Sequence, residues 1–179
     1  NLCGIECTYC RGYCYGYGNK KDEYHAWNVV RLDGEYYHLD TTWRDRSDTE
    51  QAVKNTEIGF RYFCITTEEI CRSRSIDKEP VNFPDFKSLR CNYYIHNGLY
   101  LESYDIKKII EMAEHIVRNG KKFLEFKCAS ESVYNDAMDK LFKAGSDVWE
   151  ITKAVRNIDK TIGSGCTYTY DEKIFTIRI

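Results

Sequence analysis

Residues 24–43 read Tyr-His-Ala-Trp-Asn-Val-Val-Arg-Leu-Asp-Gly-Glu-Tyr-Tyr-His-Leu-Asp-Thr-Thr-Trp. Asp33-Gly34 stands between two runs rich in β-branched and aromatic residues, the strongest short-range signal for a β-hairpin. With those two residues as the loop, Leu32 faces Glu35, Val30 faces Tyr37 and Trp27 faces Asp40. His25 and Asp40 then share one face of the ribbon as diagonal neighbours, with Trp27 between them. Diagonal cross-strand partners have Cα atoms roughly 7–8 Å apart, within reach of an aromatic side chain. An imidazole bonded to a carboxylate has its tautomer fixed and its protonated form stabilised. His25 and Asp40 are therefore the candidate catalytic residues, a general base and the group that orients it.

The same residues resemble a family. His-Ala-Trp-Asn-Val (25–29), a tight turn, then Tyr-His-Leu-Asp-Thr-Thr-Trp (37–43) is similar to the His and Asp segments of the transglutaminase-like superfamily. Residues 4–12 resemble the strand that enters this motif. Tyr62 to Ile70 resembles the strand and short helix that follow it in bacterial members. Asn92-Tyr93-Tyr94 and Gly98-Leu99-Tyr100 extend the likeness to a bacterial subgroup with a C-terminal extension. The resemblance implies an α+β fold with a papain-like antiparallel sheet and a Cys-His-Asp acyl-transfer site. It implies a protein or peptide substrate and no cofactor or metal.

In that superfamily the nucleophilic Cys opens a helix upstream of the His strand, where the helix N-terminus favours thiolate. Here the 24 residues before His25 carry four Gly and no helical period. Leu2-Cys3-Gly4-Ile5 resembles the end of that helix and the start of the next strand. The sheet is thus expected to be truncated and the chain to lack the nucleophile, so that it is inactive by itself. The alternative is a non-enzymatic module, binding a protein or the cell wall or serving structurally, which retains the hairpin because the hairpin forms its core.

The composition bounds the function classes. A chain of 179 residues is long enough for one full core or two small ones. Hydrophobic content of 42% and charged content of 30% are ordinary for a globular protein. A net charge of −2 makes no electrostatic case for nucleic acid or a membrane surface. No apolar run approaches the ~20 residues of a membrane-spanning helix.

Nine Cys is a high and odd number. Many free thiols fit a reducing compartment, whereas the bacterial resemblance points to export or the cell surface. Cys3, Cys7, Cys10 and Cys14 follow the pattern C-x3-C-x2-C-x3-C. The first three match the spacing by which radical enzymes using S-adenosylmethionine hold an iron–sulfur cluster, and close thiolates also bind zinc. That enzyme fold needs a far longer barrel. In a strand, moreover, Cys3 and Cys7 would share one face and Cys10 and Cys14 the other. The preferred reading is small buried apolar residues.

Arg44 to Asp48 reads as a polar, solvated loop. Thr66-Thr67-Glu68-Glu69 forms a capping box for a short helix ending near Arg72. Residues 76–90 read as an irregular connection. Asp105 caps a helix whose apolar stripe is Ile106, Ile109, Ile110, Ala113, Ile116 and Val117, stopped by Gly120. Lys122 to Cys128 alternates like a strand, with Phe123, Glu125 and Lys127 on one face. Ser130 or Ser132 opens a helix through Ala144, with Val133, Ala137, Leu141 and Phe142 inward. Asp147 caps a third helix. Residues 167–170 and 174–177 form a closing hairpin. The expected organisation is a transglutaminase-like domain over 1–90 and a smaller accessory α+β domain over 100–179. His38 borders the cleft in a structural role, His96 lies in a loop, and His115 is exposed on its helix.

Overall fold

The computed structural model describes residues 4–15, 22–42, 59–78, 82–143 and 147–179. Cys3 and the expected loop at 44–48 lie outside these. The fold is mixed α+β, with two four-stranded sheets and five α-helices among the described residues. It divides into two compact units, Asn1–His96 and Asn97–Ile179.

In the first unit β1 (Glu6–Cys14), β2 (Glu23–Leu32), β3 (Glu35–Leu39) and β4 (Phe63–Ile65) form an antiparallel sheet in that order. Asp33 and Gly34 both have positive φ, 51° and 87°, the geometry a two-residue loop needs to follow the strand twist. The register pairs Leu32 with Glu35 and Val30 with Tyr37, and on the other side Gly12 with His25 and Cys10 with Trp27. One sheet face buries Val30, Tyr37 and Cys64, packed by Leu32, Leu39 and Cys91. The other buries Cys10, Cys14, Trp27, Val29 and His38. Cys7 is exposed while Cys10 and Cys14 are buried, as strand alternation requires.

Thr66 caps α1 (Thr67–Cys71) with both halves of the capping box made. The chain then returns along the free edge of β1. Ser75 N–H donates to the Tyr13 carbonyl at 2.9 Å, and Asp77 N–H to the Arg11 carbonyl at 2.8 Å. This approach depends on Gly12, because a Cβ there would lie 1.8 Å from the Ser75 carbonyl oxygen. His96 closes the one-turn helix α2 (Tyr93–His96) instead of lying in a loop, because residues 93–96 complete a turn begun at Asn92, whose carbonyl accepts from His96 N–H.

The second unit contains β5 (Tyr100–Leu101), α3 (Ile106–Arg118), β6 (Glu125–Cys128), α4 (Glu131–Met138), α5 (Asp147–Ile158), β7 (Thr169–Asp171) and β8 (Thr176–Arg178). The sheet order is β5-β6-β8-β7, with only the β5/β6 pair parallel. Ile109, Ile116, Phe126, Leu141, Val155 and Ile177 are all buried. Asp105 caps α3 through Lys107 N–H and Lys108 N–H. Its buried stripe includes Met112, while Ile106, Ile110 and Val117 lie at the margins. Lys127, on the strand face expected to carry Phe123 and Glu125, is buried along with its neighbours Phe126 and Cys128, so the inner strand β6 is covered on both faces. Ser130 is the cap of α4, Tyr134 replaces Val133 inward, and the helix passes into a π-helical turn at Asp139–Lys143. The extra residue in that turn rotates Phe142 to a half-buried position. Asp147 is the first residue within α5, and its carboxylate accepts from the Tyr104 hydroxyl. No described helix is long and apolar enough to cross a membrane.

Candidate functional site

The hairpin register brings His25 and Asp40 together. His25 Nε2 lies 2.8 Å from Asp40 Oδ2. Since an ionised carboxylate only accepts, the Nε2 proton points at Asp40, and the neutral ring carries its basic lone pair on Nδ1. The His25 ring is stacked with Trp27 at a centroid distance of 6.1 Å. The indole floor and the carboxylate together define the ring plane.

Asp40 itself is held from three more directions. Its Oδ1 accepts from Thr42 N–H at 3.0 Å, its own N–H donates to the Tyr62 carbonyl at 3.0 Å, and Arg74 Nη2 donates to Oδ2 at 2.7 Å. The Asp40 and Arg74 side chains are 0% and 2% exposed. The Arg74 guanidinium lies 4.0 Å above the Tyr62 ring and 5.7 Å from that of Trp27, and its Nη1 donates to Ser73 Oγ at 2.8 Å. The carboxylate is thus desolvated, compensated by a cation, and shared between two donors on one oxygen.

A second chain of bonds runs beneath. Trp27 Nε1–H donates to His38 Nδ1 at 3.1 Å, and His38 Nε2 lies 3.2 Å from Thr67 Oγ1, which also accepts from Phe86 N–H at 2.9 Å. The indole can only donate, so His38 is the neutral Nε2–H tautomer. Burial, with a smaller push from the Arg74 guanidinium, lowers its pKa from 6.5 to about 4. His38 is a fixed neutral spacer that anchors the floor of the site to α1.

Acyl transfer through sulfur needs an activated thiolate. Cys7, Cys10 and Cys14 all lie within β1, and none opens a helix. Burial pushes the Cys10 thiol up to about 11. It raises Cys14 as well, with Arg74 pulling in the opposite direction. Among the described residues no three His, Cys, Asp or Glu side chains converge as a metal site.

Sequence reading missed Arg74 and Tyr62. Arg74 reaches the site through the pairing of residues 73–77 with β1, a contact between segments about 60 residues apart that no local pattern announces. The available signal was Gly12, because a glycine inside a strand marks close backbone approach. Compared with known proteins, the chain matches no family model and no curated sequence.

Proposed function

We propose that His25 and Asp40 are the proton-transfer pair of a transglutaminase-like Cys-His-Asp acyl-transfer site, and that the first sheet is the corresponding part of a papain-like fold. The observation that supports this reading is the 2.8 Å contact of His25 Nε2 with a buried carboxylate, which fixes the tautomer and leaves the basic lone pair on Nδ1. In the reaction a thiolate attacks a carboxamide or peptide carbonyl, and the imidazolium gives its proton to the departing ammonia or amine. Water or a second amine then attacks the thioester, the imidazole accepting its proton and the thiolate leaving. Hydrolysis, deamidation and cross-linking differ only in that second nucleophile.

The Asp40–Arg74 pair favours a second reading, a non-enzymatic module. A buried carboxylate neutralised by arginine serves a structural network equally well, with His25 as one more donor. The discriminating experiment is transfer of a fluorescent primary amine onto a glutamine-bearing protein, with ammonia release, by the protein as its gene encodes it. The enzyme reading expects turnover that His25→Ala lowers by at least ~100-fold and Asp40→Asn by at least about tenfold. Absence of turnover, or turnover indifferent to His25→Ala, supports the module.

A further inference from the structure

The exposed face of α5 differs in charge design from every other helix that carries an ion pair. Elsewhere a cation sits one turn after an acid and bonds to it: Arg72 to Glu68 at 2.7 Å, Arg118 to Glu114 at 3.3 Å, Lys140 to Asp136 at 2.8 Å and Lys143 to Asp139 at 2.7 Å. Such pairs neutralise a solvated helix face. On α5 and just beyond it, Lys153, Arg156 and Lys160 have Trp149, Thr152 and Arg156 four residues before them. Among the described residues none of the three makes an ion pair. Of the two nearby acids, Glu150 lies three residues before Lys153 but does not line the hollow described below, and Asp159 is occupied by the hydroxyl and N–H of Thr161, at 2.7 and 2.9 Å.

These cations line one concavity of about 370 Å³ together with Trp149, Asn157 and Ser164. Trp149 is 52% exposed, a large apolar surface left in water at the rim of a cationic hollow. Lys160 Nζ approaches Asn157 Oδ1 at 3.5 Å, which leaves the amide nitrogen of Asn157 on offer as a further donor. An indole face stacks on a planar ring, and lysine and arginine donors bind phosphate oxygens. From Trp149 to Arg156 the helix advances about 10 Å, a separation suited to a ring at one end and a diphosphate at the other.

We propose that this face of the second unit is a binding site for a nucleoside diphosphate. Trp149 stacks on the base, Lys153 and Arg156 hold the phosphates, and Lys160 and Asn157 close the far end. The site is independent of the His25 reading. It also accords with the chain's net charge of −2, since a small anion needs only a local cluster of cations whereas a nucleic-acid track needs an extended one.

The test is calorimetric titration of residues 1–179 at low salt with ADP, adenosine, pyrophosphate and a short oligothymidylate, with tryptophan fluorescence followed in parallel. The expected result is saturable binding of ADP, tighter than adenosine or pyrophosphate alone, and weakened about tenfold by Trp149→Leu and about tenfold by Arg156→Gln. Both side chains are exposed, so both variants should retain the parent's melting temperature. Lys153→Gln provides a third variant should either misfold. Failure to bind ADP, binding that the variants leave unchanged, pyrophosphate binding as tightly as ADP, or oligothymidylate binding in place of ADP would each overturn the proposal.

Discussion

Arg74 donates to the same oxygen of Asp40 that His25 holds, at 2.7 Å, with both partners of the ion pair sealed from water. A buried pair of this kind is costly to break, because the surviving charge has no solvent to turn to. Arg74→Met should destabilise the protein by about 3–5 kcal/mol, measured by urea unfolding. Arg74→Lys should recover part of that loss through the retained charge, though not the stacking on Tyr62. A loss below ~1 kcal/mol for Arg74→Met would mean that the pair is not what holds Asp40 in place.

His38 makes stability depend on pH. In the unfolded chain the ring protonates as pH falls through 6.5, whereas in the fold it stays neutral down to about 4. The unfolded state therefore binds more protons in that window. The contribution is complete above pH 6.5 and is lost as pH falls towards 4, amounting to about 3 kcal/mol in all. Between pH 7.5 and 5 the wild type should lose about 2 kcal/mol more than His38→Gln. Equal losses in the two proteins would show that His38 does not titrate differently on folding.

Gly12 tests the route by which Arg74 arrives. In Gly12→Ala the new methyl meets the Ser75 carbonyl, a backbone atom that cannot swing aside. The 73–77 segment must shift, which should cost about 1–3 kcal/mol and disturb Arg74 with it. Gly165→Ala, where nothing lies within 4 Å of the added Cβ, should change stability by less than ~0.5 kcal/mol. If the two variants melted together, the close crossing at Gly12 would be in doubt.

What the sequence disclosed was local. Asp33-Gly34 defined the turn, strand alternation placed His25 and Asp40 on one face, and Thr66 with Glu69 marked a helix start, because each signal spans only a few residues. Burial on both faces of β6 was not legible, since Lys127 reads as polar until the sheet order shows it on an inner strand. The π-helical turn at Asp139–Lys143 was hidden too. Its apolar spacing passes for an ordinary helix, and the rotation of Phe142 follows from backbone geometry alone. Arg74 was the largest omission, because an arginine beside Ser73 and Ser75 carries no mark of burial until the chain folds back on β1.

The central claim, that Asp40 orients His25 as a base, is tested most directly by the nitrogen NMR spectrum of the His25 imidazole in isotopically labelled protein. With Nε2 bonded to the carboxylate at 2.8 Å, the neutral ring should carry its proton on Nε2 and present an unprotonated Nδ1. A neutral ring with its proton on Nδ1, or one exchanging evenly between the two tautomers, would contradict the account.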